Sequence, residues 1–328
     1  MFAPHLDQSM QQGNPLMVPS RNGYGDGLVE AGRRDAQVVA LSADLTESTK
    51  TLPFALEFPE RFIQMGIAEQ NMASVAAGMA LMGKVPFIAS YAMFSPGRNW
   101  EQIRTTVAYN NVSVKIVGAH AGISVGPDGA THQAIEDIAL MRVMPNMVVI
   151  VPCDAHEARK ATLVAAKHDG PVYIRIGRSE TAVITTADSP FVLGKAQLLY
   201  QKNELYAKTV GIVVTGTLAY NALLAAVALE KQGIGTSVLH IATIKPLDTE
   251  ALEAFAAAHN ALVTVEEHQV AGGLGSAITE HLSGVKPIRI TRLGITDQFG
   301  QSGEPAELLA HYGLDVPAII AAAQAVAG

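Results

Sequence analysis

Short apolar runs alternate with helical stretches along the first half of the chain, and this alternation limits the possible folds more than any other feature. Six runs rich in β-branched or aromatic residues occupy positions 37–42, 61–65, 85–90, 113–118, 147–151 and 172–176. Strands that alternate with helices form mostly parallel sheets with helices on both faces. The sequence therefore predicts an α/β domain over this part of the chain.

The alternation stops in a stretch rich in Thr, Asp, Ser and Pro at 185–194 and then starts again. Further strand-like runs occupy positions 210–215, 236–240, 261–265 and 287–291. We interpret the break as a domain boundary. The predicted parts are an extended N-terminal arm at 1–20, a first α/β domain at 21–188 and a second α/β domain at 189–328. The arm is expected to become ordered by lying on a partner or on a neighbouring domain.

The composition excludes several classes of partner. The formal charge is −7 and no cluster of lysines or arginines is present, so we expect neither nucleic acid nor an anionic membrane as a partner. Hydrophobic residues make up 49% of the chain and charged residues only 16%, which indicates large buried or subunit-facing surfaces and hence an obligate oligomer. The single cysteine, Cys153, excludes an internal disulfide.

The sequence contains no recognisable targeting segment. The N-terminus lacks the apolar core of a signal peptide. The longest apolar stretch, 72–83, is shorter than the ~20 residues that cross a bilayer. We therefore expect a cytoplasmic protein without a membrane-spanning segment.

One carboxylate stands at a turn between a strand-like run and a helix. Residues 66–72, Gly-Ile-Ala-Glu-Gln-Asn-Met, place Glu69 at the start of an alanine-rich helix that is expected to end near Met82. In α/β sheets such turns lie at the carboxyl ends of strands, where ligands bind. A first-turn glutamate also stabilises a helix by roughly 0.3–1 kcal/mol without any further role. The small apolar residues that follow offer almost nothing polar to solvate the Glu69 carboxylate. This setting favours a ligand-binding role for Glu69.

A glycine-rich loop at 119–133 contains His120, Asp128 and His132. Long ordered loops at strand ends commonly carry function. Metal binding by these three side chains is one interpretation, although their spacing matches no usual zinc site. Hydrogen bonding to a polyhydroxylated substrate, with a histidine as proton relay, fits better.

Aromatic and basic side chains follow two other strand-like runs. Tyr91 and Phe94 offer flat faces for a heteroaromatic ring if they line the same crevice as Glu69. Arg175 and Arg178 flank the end of another run, and the bidentate fork of an arginine suits a phosphate group there.

Three short patterns are interpreted structurally. Gly25-Asp26-Gly27 is interpreted as a helix start, and the glycines at 272–275 as a tight turn with close helix packing. Asp154 and Glu157 form a capping-box pattern that predicts the beginning of a helix.

Three motifs of the first domain, in this order and spacing, resemble the pyrimidine-binding domain of the transketolase family. They are Ser-Ala-Asp-Leu-Thr-Glu-Ser-Thr at 42–49, Gly-Ile-Ala-Glu-Gln-Asn-Met at 66–72 and Gly-Pro-Asp-Gly-Ala-Thr-His-Gln at 126–133. Glu266-Glu267-His268 and Gly272-Gly273-Leu274-Gly275 resemble the C-terminal domain of that family. The resemblance covers about residues 20 to 328. It implies two tandem α/β domains, with thiamine diphosphate and Mg²⁺ as cofactors.

The resemblance also implies roles for individual residues. Glu69 is expected to hydrogen-bond N1′ of the aminopyrimidine ring of the cofactor, with His132 near its 4′-amino group, so that both are catalytic. The implied cofactor-binding residues are Glu69, Asp44, Ile88, Tyr91 and Phe94, and the implied substrate-binding residues are Asp128, His120, Arg178, Ser48 and Arg21. Ile88 departs from the family, which commonly has a third aromatic residue at this position.

A full transketolase has a further N-terminal domain that binds magnesium and the cofactor diphosphate, and this chain contains no such domain. The family includes split enzymes whose two halves are separate chains. The resemblance therefore implies the C-terminal subunit of a two-component transketolase, active only with an N-terminal subunit that holds the metal, in an α2β2 assembly. The implied reaction transfers a two-carbon ketol unit between ketose and aldose phosphates, such as the pentose phosphates.

Other functions remain open at this stage. The β subunit of a 2-oxo acid dehydrogenase shares the architecture but would need a lipoyl-bearing partner instead of a sugar-hydroxyl loop. A relative of 1-deoxyxylulose-5-phosphate synthase would use pyruvate as donor, and a specialised transketolase would use another sugar phosphate. A non-catalytic assembly module is a further possibility, but it would gain nothing from a carboxylate such as Glu69 in an apolar turn.

Overall fold

The computed structural model describes residues 1–202 and 206–327. Its strands are β1 Met17–Pro19, β2 Val38–Ser42, β3 Phe62–Gln64, β4 Val85–Tyr91, β5 Lys115–Ala119, β6 Val148–Ile150, β7 Val172–Arg175, β8 Glu180–Ala182, β9 Gln197–Tyr200, β10 Thr209–Val214, β11 Gly235–His240, β12 Thr243–Lys245, β13 Ala261–Gln269 and β14 Arg289–Ile295. Its α-helices are α1 Gln8–Gln11, α2 Ser20–Arg34, α3 Leu52–Glu57, α4 Glu69–Leu81, α5 Trp100–Gln102, α6 Asp137–Arg142, α7 Ala155–Lys167, α8 Ala219–Lys231, α9 Thr249–Ala257, α10 Leu274–Val285, α11 Pro305–His311 and α12 Val316–Ala327. A π-helical segment spans Ile103–Ala108, and a 3₁₀ segment spans Ile123–Asp128.

The first sheet has seven strands in the order β12-β6-β7-β5-β4-β2-β3. All neighbours are parallel except β12, which is antiparallel to β6. Apolar side chains lie against both faces of this sheet, as in other sheets buried between helix layers. All six strands predicted in the first half are confirmed.

The second sheet has five strands in the order β14-β13-β10-β11-β9. Only β9 is antiparallel to its neighbour. Its core contains buried side chains of α8 and α12, among them Leu223 and Ile319. The predicted fold class, two tandem α/β domains with mostly parallel sheets, is confirmed.

One strand crosses from the second half of the chain to the first sheet. Thr243 of β12 is opposite Ile150 of β6. This strand was not predicted, because three residues are too few for a recognisable pattern. The pairing covers what would otherwise be the free edge of β6.

The N-terminal arm lies on the second domain, with the Ala3 N–H donating to Leu199 O at 2.9 Å. It is not wholly extended as predicted. The Asp7 carboxylate accepts a hydrogen bond from the Ser9 N–H and begins the short helix α1, and β1 pairs with β8. The predicted domain boundaries at residues 20 and 188 remain predictions.

Gly25-Asp26-Gly27 was expected to start a helix, and this expectation is wrong. These residues lie in the middle of α2. Two glycines of α2, Gly23 and Gly25, lie where neighbouring backbone atoms leave no room for a side chain. A Cβ atom on Gly23 would lie 1.8 Å from the Ala155 carbonyl oxygen, and one on Gly25 would lie 2.7 Å from the Lys50 carbonyl oxygen. Helix α2 therefore packs against α7 at a distance that a larger residue would prevent.

Residues 305–327 form the one described stretch that is long and apolar enough to cross a membrane by length and composition. This stretch consists of α11 and α12, and Leu308 and Ile319 are buried in the second core. Core helices of globular proteins pass the same test.

Candidate active site

The Glu69 turn has the predicted arrangement. Strand β3 ends at Gln64, Gly66 adopts a positive φ of 68°, and α4 begins at Glu69. The Glu69 side chain is only 1% exposed. The buried Asn99 amide donates to the Glu69 backbone oxygen at 3.0 Å and fixes the first turn of α4.

The two carboxylate oxygens of Glu69 have different surroundings. Oε2 accepts a hydrogen bond from Arg98 Nη1 at 2.7 Å. Oε1 has only a long contact of 3.5 Å with Ser90 Oγ. One oxygen is thus held by a cation, whereas the other keeps the capacity for a strong hydrogen bond to a ligand.

Four rings lie together beyond the end of β4. The Tyr91 ring stacks on His120 with centroids 4.0 Å apart and on Phe94 at 6.0 Å. His132 approaches Phe94 edge-on at 5.5 Å. Tyr91, Phe94 and His132 are partly exposed, so these rings form the wall of a cleft that suits a flat ring.

Ile88 does not belong to this wall. It is wholly inaccessible and packs in the core of the first domain with Leu41 and Met72. Its place in a β-strand explains this result, because Ile88 faces the helix layer. The assignment of Ile88 to cofactor binding is therefore not supported by the structure.

His120 is held as a neutral hydrogen-bond donor. Burial above all, then the nearby charges of Arg21, Arg178 and His132, lower the pKa of His120 to about 3. Arg21 Nη1 lies 3.2 Å from His120 Nε2, and because arginine can only donate, Nε2 must accept. The proton is therefore on Nδ1, which is buried and has no partner among the described residues. An unpaired buried N–H of this kind fits a ligand oxygen.

Two arginines provide positive charge near His120. Arg21 donates to the Ser48 backbone oxygen at 2.9 Å, which brings the loop after β2 next to His120. Arg178 donates to the Val125 oxygen at 2.7 Å and lies 3.3 Å from Asp128 Oδ1. Both guanidinium groups are partly exposed and are available to an anion.

Arg175, the other arginine at the end of the same strand, is not available. It is 7% exposed and pairs with the buried Asp137 at 2.8 Å. Burial opposes the charge of Arg175, but Asp137 and Glu267 outweigh that effect and raise its pKa. Arg175 therefore has a structural role, and Arg178 is the remaining phosphate candidate.

Asp44 lies at the same edge of the sheet but outside the ring cluster. It follows β2, has a positive φ of 58°, and is exposed. Its N–H donates to Gln64 Oε1 at 2.8 Å. The turn after β2 thus places the exposed Asp44 carboxylate at the carboxyl end of the sheet.

The metal interpretation of the loop at 119–133 is not supported by the geometry. Within residues 1–202 and 206–327, His120, Asp128 and His132 do not form a group with ligand atoms at metal-site distances. The one such group in this part of the chain is Cys153, Glu157 and His240, which is buried.

The sequence did not indicate Arg98 or Asn99. Both follow Tyr91 and Phe94 in the stretch Ser-Pro-Gly-Arg-Asn. A polar pair seven and eight residues after the end of β4 was the available clue. Their contacts with Glu69 depend on a loop closure that no local pattern predicts.

Two family models match the chain. The model described as transketolase, pyrimidine binding domain, matches residues 17–183. The model described as transketolase, C-terminal domain, matches residues 200–319. These matches confirm the resemblance for both domains.

Individual relatives agree with the family models. A protein of Methanocaldococcus jannaschii that is named as a transketolase C-terminal section is 45% identical over 90% of this chain and 92% of its own length. The 6-deoxy-6-sulfo-D-fructose transketolase subunit SqwH of Clostridium sp. is 41% identical over 93% of this chain and 94% of its own length. A solved structure described as a split gene transketolase, inactive β4 tetramer, has a TM-score of 0.87 and 46% identity and covers 94% of this chain and 98% of that chain. The chain therefore belongs to the transketolase family and corresponds to its C-terminal half, the section that split transketolases carry as a separate subunit.

Proposed function

We propose that this chain is the C-terminal subunit of a two-component transketolase and transfers a two-carbon ketol unit between ketose and aldose phosphates together with an N-terminal subunit. The observation that carries the proposal is the buried Glu69 carboxylate with Oε2 held by Arg98 and Oε1 left for a ligand. A carboxylate arranged in this way, beside stacked aromatic rings, suits a nitrogen heterocycle.

The residues fit thiamine diphosphate, the cofactor that the family implies. Glu69 Oε1 is the group that would hydrogen-bond the pyrimidine ring, and Tyr91 and Phe94 would contact its face. When bound, the cofactor supplies the carbanion chemistry that protein side chains lack. Glu69 Oε1 would make that hydrogen bond, while Arg98 fixes the orientation of the carboxylate through Oε2.

The opposite end of the site suits a sugar phosphate. Arg21 and Arg178 supply positive charge, and neutral His120 supplies an N–H at Nδ1. Asp128 lies beside Arg178 and would accept a hydrogen bond from a substrate hydroxyl. His132, which lies at the ring cluster, would act as the proton relay.

The partner would supply the remaining parts. We assign Mg²⁺ and the cofactor diphosphate to the N-terminal subunit, as the family resemblance implies. The related split gene transketolase described as an inactive β4 tetramer also supports partner dependence. The relatives reported above are transketolase sections or subunits, so the comparisons do not favour a 2-oxo acid dehydrogenase or a 1-deoxyxylulose-5-phosphate synthase.

The test is ketol transfer from xylulose 5-phosphate to ribose 5-phosphate, with magnesium and thiamine diphosphate present. It is run with this chain alone and with the chain co-expressed with its N-terminal half. We expect activity only in the mixture. A folded complex that stays silent with these sugars but accepts 6-deoxy-6-sulfo-D-fructose, the sugar named for the Clostridium relative, would identify a specialised transketolase. Activity with pyruvate alone would overturn the proposal.

A further inference from the structure

The loop that carries the candidate substrate residues is held at both ends by the second domain. We call residues 120–133 the substrate loop. Near its beginning, the Ser124 N–H donates to Glu267 Oε1 at 2.5 Å. At its end, Gln133 Nε2 donates to the Gln301 backbone oxygen at 2.8 Å. Glu267 and Gln133 are 4% and 2% exposed, so each contact involves one buried side chain.

The glycines of the substrate loop follow the contour of the second domain. A Cβ atom on Gly122 would lie 2.3 Å from Glu267 Oε1, and one on Gly129 would lie 2.6 Å from Ser302 Oγ. Both glycines have positive φ values, 87° and 75°. The loop therefore needs glycine for its backbone angles and also for its close approach to the second domain.

The Gln133 amide connects the loop to itself and to the second domain. Besides Gln301, Nε2 reaches the backbone oxygens of Ile123 at 3.1 Å and Gly126 at 3.3 Å. The two N–H donors of this amide are thus shared among three carbonyl oxygens. A carboxylate of the same shape could not donate these bonds.

Glu267 holds the substrate loop through an acceptor oxygen. Burial first, opposed by Arg175 and by the Ser124 N–H, leaves the pKa of Glu267 raised. Its second oxygen lies 3.4 Å from Thr217 Oγ1. An amide that keeps the acceptor oxygen is a fair replacement, whereas an alkyl side chain removes the partner of the Ser124 N–H.

We infer that Glu267 and Gln133 are positioning residues through which the second domain sets the conformation of the substrate loop and thereby the affinity for the sugar. In this inference they contact neither cofactor nor sugar and act through Asp128, His120 and His132, which the loop carries. The inference deepens the proposed function, and its kinetic part rests on that function. The rival explanation is that the two side chains only attach one domain to the other.

Four variants separate these explanations. Glu267→Leu removes the acceptor, and Glu267→Gln keeps an acceptor oxygen. Gln133→Glu keeps the shape of the side chain but removes its N–H donors. Gln301→Ala is the matched control, because Gln301 contributes only its backbone oxygen to the contact and is exposed. Should Glu267→Leu fail to fold, Gln133→Glu still tests the inference.

The first measurement is hydrogen exchange of residues 122–133 in the chain alone, which requires no activity. Loss of a hydrogen bond to a buried group changes an equilibrium constant roughly tenfold or more. We therefore expect about tenfold faster exchange in the substrate loop of Glu267→Leu and Gln133→Glu, a smaller change in Glu267→Gln and none in Gln301→Ala. Unchanged exchange in both disruptive variants, or acceleration spread over the whole second domain, would overturn the inference.

The second measurement uses the assembled two-subunit enzyme. We expect Glu267→Leu and Gln133→Glu to raise KM for the ketose phosphate about tenfold with little change in half-saturation by thiamine diphosphate, and Glu267→Gln to restore most of the affinity. Equal losses for sugar and cofactor would favour simple domain attachment and contradict the inference. If the wild-type complex shows no ketol transfer, the proposed function fails, whereas the exchange measurement on the chain alone still decides whether the two side chains position the loop.

Discussion

Arg98 Nη1 lies 2.7 Å from Glu69 Oε2, and the same guanidinium lies over the Phe94 ring, with its Cζ atom 4.6 Å from the ring centroid. Arg98 is 46% exposed, whereas Glu69 is 1% exposed. One side chain thus joins the buried carboxylate to the aromatic wall of the cleft. Stacking on Phe94 limits the rotamers of Arg98 and so fixes which oxygen of Glu69 it engages.

Replacing Arg98 with Gln should therefore weaken cofactor use without unfolding the chain. The buried Glu69 carboxylate would lose its charged partner, a change of about 1–3 kcal/mol in hydrogen-bond energy. We expect a roughly tenfold to hundredfold loss of kcat/KM in the assembled enzyme, measured as a function of thiamine diphosphate concentration. Arg104→Gln, at an exposed position in the next helical segment, is the control. An equal change of kcat/KM in the two variants would contradict the proposed role of Arg98 in orienting Glu69.

Glu69→Gln tests the carboxylate itself. The amide keeps the size of the side chain, so α4 and its contact with Asn99 should persist. Because an amide cannot exchange a proton at this position, we expect loss of ketol transfer by two orders of magnitude or more, on the scale of general acid–base catalysis. Thermal melting and near-ultraviolet circular dichroism of the chain check its folding. Turnover at the wild-type rate would end the assignment of Glu69.

Arg178→Ala should affect phosphorylated sugars selectively. Arg178 is partly exposed and can turn from Val125 and Asp128 toward an anion. Loss of a charge-assisted contact of about 1.5–3 kcal/mol raises KM roughly tenfold to a hundredfold. We expect this increase for ketose phosphates and little change for unphosphorylated ketoses. Arg289→Ala, at an exposed position of the second sheet, should change neither, and a similar increase for both kinds of sugar would contradict the phosphate role.

A buried ion pair between the domains makes stability depend on pH. His240 Nε2 lies 2.8 Å from Glu157 Oε2. Burial alone lowers the pKa of His240, but the Glu157 carboxylate outweighs it and raises the pKa above the ordinary 6.5. Burial alone raises the pKa of Glu157, but His240 outweighs it and leaves the pKa below the ordinary 4.5.

The sign of the dependence follows from these two shifts. The stabilisation from His240 is complete below pH 6.5 and is lost as pH rises through its raised folded pKa. The stabilisation from Glu157 is complete above pH 4.5 and is lost as pH falls through its lowered folded pKa. We expect His240→Gln to lower the free energy of unfolding by about 1–3 kcal/mol between these values and by less at about pH 9. Thermal melting curves of the wild-type chain and of His240→Gln between pH 4.5 and pH 9 measure this difference in stability. A difference that grows with pH would contradict the ion pair.

Gly23→Ala should destabilise the first domain. Its methyl group would meet the Ala155 carbonyl oxygen at 1.8 Å, so α2 and α7 would have to separate at a cost of about 1–3 kcal/mol. Gly284→Ala in α10 is the control, because nothing lies within 4 Å of its added Cβ. The control should be neutral or stabilise the chain by about 0.5–1 kcal/mol. Urea unfolding of both variants measures the difference.

Several features that depend on a single element or turn could be predicted from the sequence. The strand-like runs follow local propensity, the Gly66–Glu69 turn has its predicted place, and the Asp154 cap accepts the Glu157 N–H as its pattern indicated. Contacts between elements were not readable. The Arg98 pair with Glu69 depends on how a loop closes, and the burial of Ile88 depends on which face of β4 the helix layer covers. A resemblance transfers residue positions, but neither of these tertiary arrangements.

Strand β12 has a consequence for how the protein is made. The first sheet pairs β6 with residues 243–245, which follow most of the second domain in the chain. During synthesis, therefore, β6 stays an open edge until the ribosome has released that strand. A gene fragment that stops after β8 would encode the Glu69 turn and the ring cluster but leave this edge open, so dividing the gene at that point would yield a first half with an unpaired strand edge.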